Sequence, residues 1–175
     1  FDGIANNVLH DLLNNNLPKI YRSHEFPVIS QTPMIRNPSL NGLIEIMRGC
    51  GRNCDFCEPN LRRARYQSID YIKKEIQVNI DSGYKYLWVQ SDDFWLYKLD
   101  DHKTFKPNRD ALIELFTEIS KIKGLKEVHP THGSIAPAAY DPDLVKKLSE
   151  IMHGGKNNWI GIQPGLETGS PRLMK

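Results

Sequence analysis

No uninterrupted apolar run in this chain approaches the roughly 20 residues that a membrane-crossing helix needs, and the mean hydropathy is −0.50. A helical membrane protein is excluded. A marked excess of one charge is missing too: the formal net charge is +2, too mild by itself to indicate a nucleic-acid partner. There is no internal repeat and no low-complexity tract, and apolar residues recur at helix and strand spacings throughout, which excludes a disordered chain. Cysteine is scarce. The three present, Cys50, Cys54 and Cys57, fall within eight residues, an odd number packed too closely for a disulfide framework. A basic-then-apolar leader is also lacking. The sequence opens on Phe1 and closes on Leu173-Met174-Lys175, the first turn of a helix that goes no further. The expectation is a truncated piece of a longer cytoplasmic protein whose thiols stay reduced.

What is present is 175 residues, 25 % of them charged and 39 % apolar, enough for one ordinary domain with a real core. Residues 1–41 read as an irregular arm. They hold a short helical candidate, Val8-Leu9-His10-Asp11-Leu12-Leu13, and then four prolines, Pro18, Pro27, Pro33 and Pro38, along an extended stretch. Order begins at Gly42. Leu43-Ile44-Glu45-Ile46-Met47 is the nearly continuous apolar run of a buried parallel strand. A helix starts near Ser68, buries Ile69, Ile72, Ile76 and Ile80, and stops at Gly83. Tyr86-Leu87-Trp88-Val89 is a second strand, followed by the polar loop Gln90-Ser91-Asp92-Asp93 and by Phe94, Trp95, Leu96 and Tyr97, which have the character of packing residues. A second helix runs over 108–123, with Leu112, Leu115, Phe116, Ile119 and Ile122 inward and Gly124 at its end. Val128-His129 is a weak third strand. Asp141-Pro142 is a cap followed by proline at the first helical position, opening a helix that buries Leu144, Val145, Leu148, Ile151 and Met152. Trp159-Ile160-Gly161-Ile162 is the fourth strand, and Ser170-Pro171 repeats the cap-plus-proline signature.

This alternation predicts an α/β fold with a parallel sheet. A complete eight-fold barrel takes about 250 residues, so about four βα units over 42–175 make an incomplete (β/α) barrel behind the N-terminal arm. The chemistry is concentrated in Arg48-Gly49-Cys50-Gly51-Arg52-Asn53-Cys54-Asp55-Phe56-Cys57. Three thiolates spaced x3 then x2 on a glycine-containing loop can converge on one centre, and thiolates suit iron–sulfur clusters and zinc. Zinc ligands usually come as two short pairs; here there is one triplet, with His24 and His102 far away in sequence. An electron-transfer ferredoxin would want a fourth cysteine. Three leave one iron of a cubane open to bind a substrate.

A C-x3-C-x2-C motif with an aromatic before the last cysteine, following the first strand of a βα series, resembles the radical S-adenosylmethionine superfamily. The resemblance covers 42–175. The wording of residues 45–54 and of Gly165-Leu166-Glu167-Thr168-Gly169-Ser170 is most similar to the branch associated with a cobalamin (B12)-binding domain, and residues 1–41 would then be a linker from an upstream domain of that kind. The resemblance implies a 4Fe–4S cluster on Cys50, Cys54 and Cys57, with S-adenosylmethionine bound at its open iron and reductively cleaved to methionine and a 5′-deoxyadenosyl radical. It also implies cobalamin supplied through the upstream domain, and an electron donor such as a flavodoxin or ferredoxin. In the family, the loop after the second strand often reads Gly-Gly-Glu and holds the amino group of the cofactor. Here that loop is Gln90-Ser91-Asp92, a departure in which Asp92 or loop carbonyls accept from the ammonium, or the aspartates serve as turn and cap residues. Phe56 resembles the aromatic near the adenine, the competing reading being that it packs the loop down. Gln163 and Glu167 fall where the family places polar groups on the ribose, a sound pairing chemically, although Glu167 also suits a cap or a solvated position.

Other residues read more plainly. His129 and His132, around Pro130-Thr131, suit backbone-satisfied histidines better than proton handling. Arg62, Arg63 and Arg65 form a basic cluster that suits a solvated face better than RNA or phosphate binding. Trp88 and Trp95 read as packing. The functional expectation is an iron–sulfur radical enzyme performing cobalamin-linked methyl transfer. One alternative is a methylthiotransferase acting on RNA or protein, which predicts a further cysteine cluster upstream. The other is a non-enzymatic iron–sulfur or zinc module. The substrate is not legible.

Overall fold

The structure is a computed structural model of the chain, and it describes residues 4–22, 27–57, 63–152, 160–165, 169–170 and 172. The chain divides into two compact units, Phe1–Pro33 and Met34–Lys175. The first holds helix α1, Ala5–Leu13, one residue in three of which (Leu9, Leu12 and Leu13) is a large apolar side chain left exposed. In the same unit the Tyr21 hydroxyl donates to Asp11 at 3.0 Å.

The second unit is built on a parallel sheet of β1 (Leu43–Glu45), β4 (Tyr86–Gln90) and β5 (Glu127–Pro130), in the order β1-β4-β5. Leu43 lies opposite Trp88, and Trp88 opposite His129. Successive strand residues face opposite ways. Ile44, Leu87, Val89 and Val128 are wholly buried on one face, with the apolar stripes of α2 (Ile69–Asp81), α3 (Arg109–Ser120) and α5 (Pro142–Met152). Ile72 and Ile76, then Leu112, Leu115, Phe116 and Ile119, then Leu144 and Leu148 supply those stripes, as their spacing predicts. Each of these helices opens on a capping side chain, at the expected cap Asp141 and at the expected starts near Ser68 and Asn108. Ser68 accepts from the Tyr71 amide at 3.2 Å, Asn108 from the Ala111 amide at 3.0 Å and Asp141 from the Leu144 amide at 2.9 Å. Gly83 and Gly124 follow their helices with φ of +97° and +98°, a conformation that favours glycine. The segment 94–97 is fully buried: Phe94 lies 4.2 Å from the Trp95 ring, and Tyr97 donates to the Gln67 carbonyl at 3.0 Å.

Three features depart from the predicted strand pattern. The run 43–47 is not one strand. After Glu45 the chain turns out of the parallel sheet, and β2 (Met47–Arg48) pairs antiparallel with β3 (Arg65–Tyr66). Ile46 is the pivot: its amide donates to Gln90 of β4 at 3.3 Å, while its carbonyl accepts from Gln67 at 2.9 Å. A short helix α4 (Ile135–Tyr140), carrying Pro137 inside it, follows β5. In place of a fourth strand, Gln163 makes a single parallel bridge with His132, and Ile160, Gly161 and Ile162 carry no strand; Trp159 lies outside the described residues. His132 lies beyond β5, and its carbonyl accepts from the Phe94 amide at 3.1 Å. The described sheet is three strands and a bridge, short of four βα units. Among the described residues no helix is long and apolar enough to cross a membrane.

Candidate functional site

The cysteine loop leaves β2 at the carboxyl end of the parallel sheet. Gly49, Gly51 and Asn53 have φ of +76°, +74° and +62°, so the chain reverses its course around and between the first two cysteines. A Cβ on Gly51 would meet nothing within 4 Å; glycine is needed there for its backbone conformation, not for space. The Cys57 amide closes a turn on the Cys54 carbonyl at 3.1 Å. Cys50 is buried, Cys54 and Cys57 are half-buried, and none of the three is in a disulfide. Burial pushes the Cys50 thiol up to about 11, a backbone hydrogen bond involving Arg52 opposes it, and Asp93 and Asp92 add to the rise.

From this loop Arg52 reaches across to the loop after β4. Its Nε lies 3.1 Å and its terminal nitrogen 3.0 Å from Asp93 Oδ2, and the same terminal nitrogen donates to Ser134 Oγ at 2.8 Å. Ser134 Oγ in turn donates to Asp93 at 2.6 Å. The other oxygen of Asp93 accepts from the Trp95 and Ser134 amides, at 3.2 and 3.3 Å. The Arg52 guanidinium also lies 4.9 Å from the Phe105 ring centroid.

No family model matches the chain. Curated relatives do. Over 172 residues, 96 % of this chain and 37 % of the relative, it is 23 % identical to the tRNA-2-methylthio-N(6)-dimethylallyladenosine synthase of Thermodesulfovibrio yellowstonii. Over 114 residues, 64 % of this chain and 25 % of the relative, it is 30 % identical to the ribosomal protein uS12 methylthiotransferase RimO of Aquifex aeolicus. A second synthase of the first kind, from a Hydrogenobaculum species, is 25 % identical over 85 % of this chain and 32 % of its own length. These relatives are members of the radical S-adenosylmethionine superfamily. The chain is their homologue. It spans about a quarter to two fifths of the length of the relatives it matches. The similarity runs to methylthiotransferases and lends no support to the cobalamin link.

In this radical S-adenosylmethionine homologue the donor chemistry of residues 50–57 fits an iron–sulfur cluster: three soft thiols on one short loop with left-handed glycines. The loop does not draw them round a common centre, and among the described residues no group of three His, Cys, Asp or Glu is gathered to hold a metal ion. Gln90, Ser91 and Asp92 sit at the adjoining end of β4. Gln90 Oε1 is 3.4 Å from the Thr131 hydroxyl, Ser91 is buried with no partner for its hydroxyl, and Asp92 is exposed. Phe56 is 72 % exposed, so it does not pack the loop onto the core. Gln163 is exposed beside Thr131, whose carbonyl accepts from its amide at 2.9 Å. It lines, with Leu43, Tyr86, Trp88 and Thr131, a cleft of about 710 Å³. Glu167 lies outside the described residues, as does Arg62.

His129 is buried against the Trp88 ring, centroids 5.0 Å apart, with Glu127 at 3.3 Å. His132 is exposed beside Thr131. The residues that sequence reasoning passed over are Arg52 and Ser134. The cap reading of the aspartate pair holds for Asp93, whose carboxylate caps the short 3-10 turn Phe94–Leu96.

Proposed function

We propose that this chain carries the cluster-binding part of an enzyme that reductively cleaves S-adenosylmethionine in the service of methylthio transfer. The observation that carries the proposal is the placement of Cys50, Cys54 and Cys57 on one glycine-bearing loop at the carboxyl end of a parallel βα sheet, in a homologue of methylthiotransferases. Bound on the three thiolates, a 4Fe–4S cluster supplies a site for the amino and carboxylate groups of the cofactor and the electron that breaks its sulfonium bond. The chain's own residues bind and orient. Gln90, Ser91 and Asp92 hold the ammonium, the buried Ser91 hydroxyl offering an unused hydrogen bond. Phe56 lies along the adenine, and Gln163 and Glu167 take the ribose hydroxyls. Fully buried Phe94, Trp95 and Leu96 keep water from beneath the loop. A flavodoxin or ferredoxin in a reducing, cytoplasmic setting delivers the electron. The relatives named for tRNA and for ribosomal protein uS12 make an RNA adenosine and a ribosomal protein the two substrates to assay first.

The test is anaerobic reconstitution with iron and sulfide, then reduction in the presence of S-adenosylmethionine. Iron bound near four per chain and release of 5′-deoxyadenosine support the proposal. Cys50→Ala, Cys54→Ala and Cys57→Ala are each expected to abolish that release. Stoichiometric zinc with no cleavage of the cofactor overturns it.

A further inference from the structure

We infer that Asp93 is a positioning residue for the cysteine loop, acting through Arg52. Arg52 is the residue midway between Cys50 and Cys54, and its guanidinium meets three other segments: the Asp93 carboxylate after β4, the Ser134 hydroxyl after β5 and the Phe105 ring in the connection between β4 and α3. Asp93 is itself over-determined. Its carboxylate, 5 % exposed, takes the Trp95 amide, the Ser134 amide, the Ser134 hydroxyl and the two guanidinium nitrogens. Such a carboxylate has one placement, and a planar guanidinium that brings Nε and a terminal nitrogen to its Oδ2 while donating to Ser134 has little freedom left.

The segments behind this anchor are equally fixed. Phe94 donates to the His132 carbonyl at 3.1 Å, Thr131 donates through both amide and hydroxyl to the Val89 carbonyl at 3.0 Å, and a Cβ on Gly133 would lie 2.8 Å from the Phe94 ring. Phe105 holds φ of +53°, an unusual conformation for a bulky residue, and its ring lies under the guanidinium. Three connections therefore hold one side chain of the cysteine loop. The position of Cys50 and Cys54 is set from Asp93, which touches neither a thiol nor, in the reading above, the cofactor. A lysine at position 52 would keep the charge and lose the fork.

The inference rests on that reading only for the purpose of the loop; the ordering of the loop can be measured with no iron present. Amide hydrogen exchange of the iron-free chain is compared among wild type, Asp93→Asn, Arg52→Gln and Arg52→Lys. In both Asp93→Asn and Arg52→Gln, exchange over residues 50–57 is expected to rise about tenfold or more, while β1, β4 and β5 keep wild-type protection. Arg52→Lys is expected to recover part of the protection. After iron and sulfide reconstitution, Asp93→Asn is expected to hold less iron than wild type at equal protein. Arg52→Gln leaves Asp93 with its amide and hydroxyl donors, so it tests the tether even where Asp93→Asn fails to fold. Unchanged exchange over 50–57 in Arg52→Gln overturns the inference, and so does an equal loss of protection across the sheet, which would mark a core residue only. If wild type takes up no iron while the tether variants still release the loop, the cluster reading fails and the positioning role stands.

Discussion

Gly133 shows how tightly the carboxyl end of the sheet is assembled. A Cβ there would lie 2.8 Å from Phe94 Cε1, 2.9 Å from Trp95 Nε1 and 3.0 Å from Phe94 Cδ1, against rings that are wholly buried and cannot swing away. Gly133→Ala is therefore an overpacking change, expected to cost about 1–3 kcal/mol; urea unfolding followed by tryptophan fluorescence checks it. None of this is legible in the sequence, where Gly133 is one small residue between His132 and Ser134. The cysteines are legible because spacing along the chain already states their chemistry. The cap at Asp93 is legible but its tether to Arg52 is not, because what distinguishes it from Asp92 is burial and convergence of partners from residues about 40 positions away, which no local pattern records. Tyr97 gives a prediction in pH. Burial, with Glu114 nearby, pushes its phenol up to about 12 from an ordinary 10. The folded state thus keeps the proton longer than the unfolded state, so the stability Tyr97 confers is whole below pH 10 and is lost as pH rises through 12. The unfolding midpoint is expected to fall over that interval, and less steeply in Tyr97→Phe, which has no proton to lose there.

Among the elements, the helices announce themselves and the strands do so only in part. Ser68, Asn108 and Asp141 each satisfy an orphan amide at the start of a helix, and a cap is a local event between residues three apart, readable before any tertiary contact exists. A long stripe such as Leu112, Leu115, Phe116 and Ile119 is likewise repeated enough to be unmistakable. β2 and β3 have two residues each, too few for a period of two to show, and the turn at Ile46 is made by partners from Gln90 and Gln67, not by a breaker in the run itself. The same economy explains Gln163: one bridge has no pattern. Asn108 is the sharper test of the caps, since it also donates to the Lys98 carbonyl at 2.8 Å and so fastens the long connection to α3. Asn108→Ala removes both bonds and is expected to destabilise by about 1–2 kcal/mol. A Ser68→Ala change, which removes a cap alone, should fall toward the lower end of the 0.5–2 kcal/mol range for caps. Equal losses in the two variants, measured by denaturant titration, would show that the Lys98 bond adds nothing.

Across the whole molecule, the core has a definite extent. Every wholly buried apolar side chain among the described residues lies between Ile44 and Met152, and α1 buries no residue at all. Segment 34–42 belongs with the core in a specific way: the Ile35 amide donates to Glu75 at 3.3 Å, and Ser39 meets Asn79 through its amide at 3.0 Å and its hydroxyl at 3.1 Å. Asn79 is itself buried and donates back to the Glu75 carbonyl at 3.1 Å, so the segment is fastened to a side chain already fixed within α2. Gly42, with φ of +67° and a close approach to Leu87, sets the entry to β1. Asn79→Ala leaves the Ser39 amide and hydroxyl without that acceptor and is expected to destabilise by about 1–3 kcal/mol. Ser39→Ala keeps the amide bond and is expected to cost less. Denaturant titration checks both, and wild-type midpoints in the two variants would show that segment 34–42 adds nothing to the core.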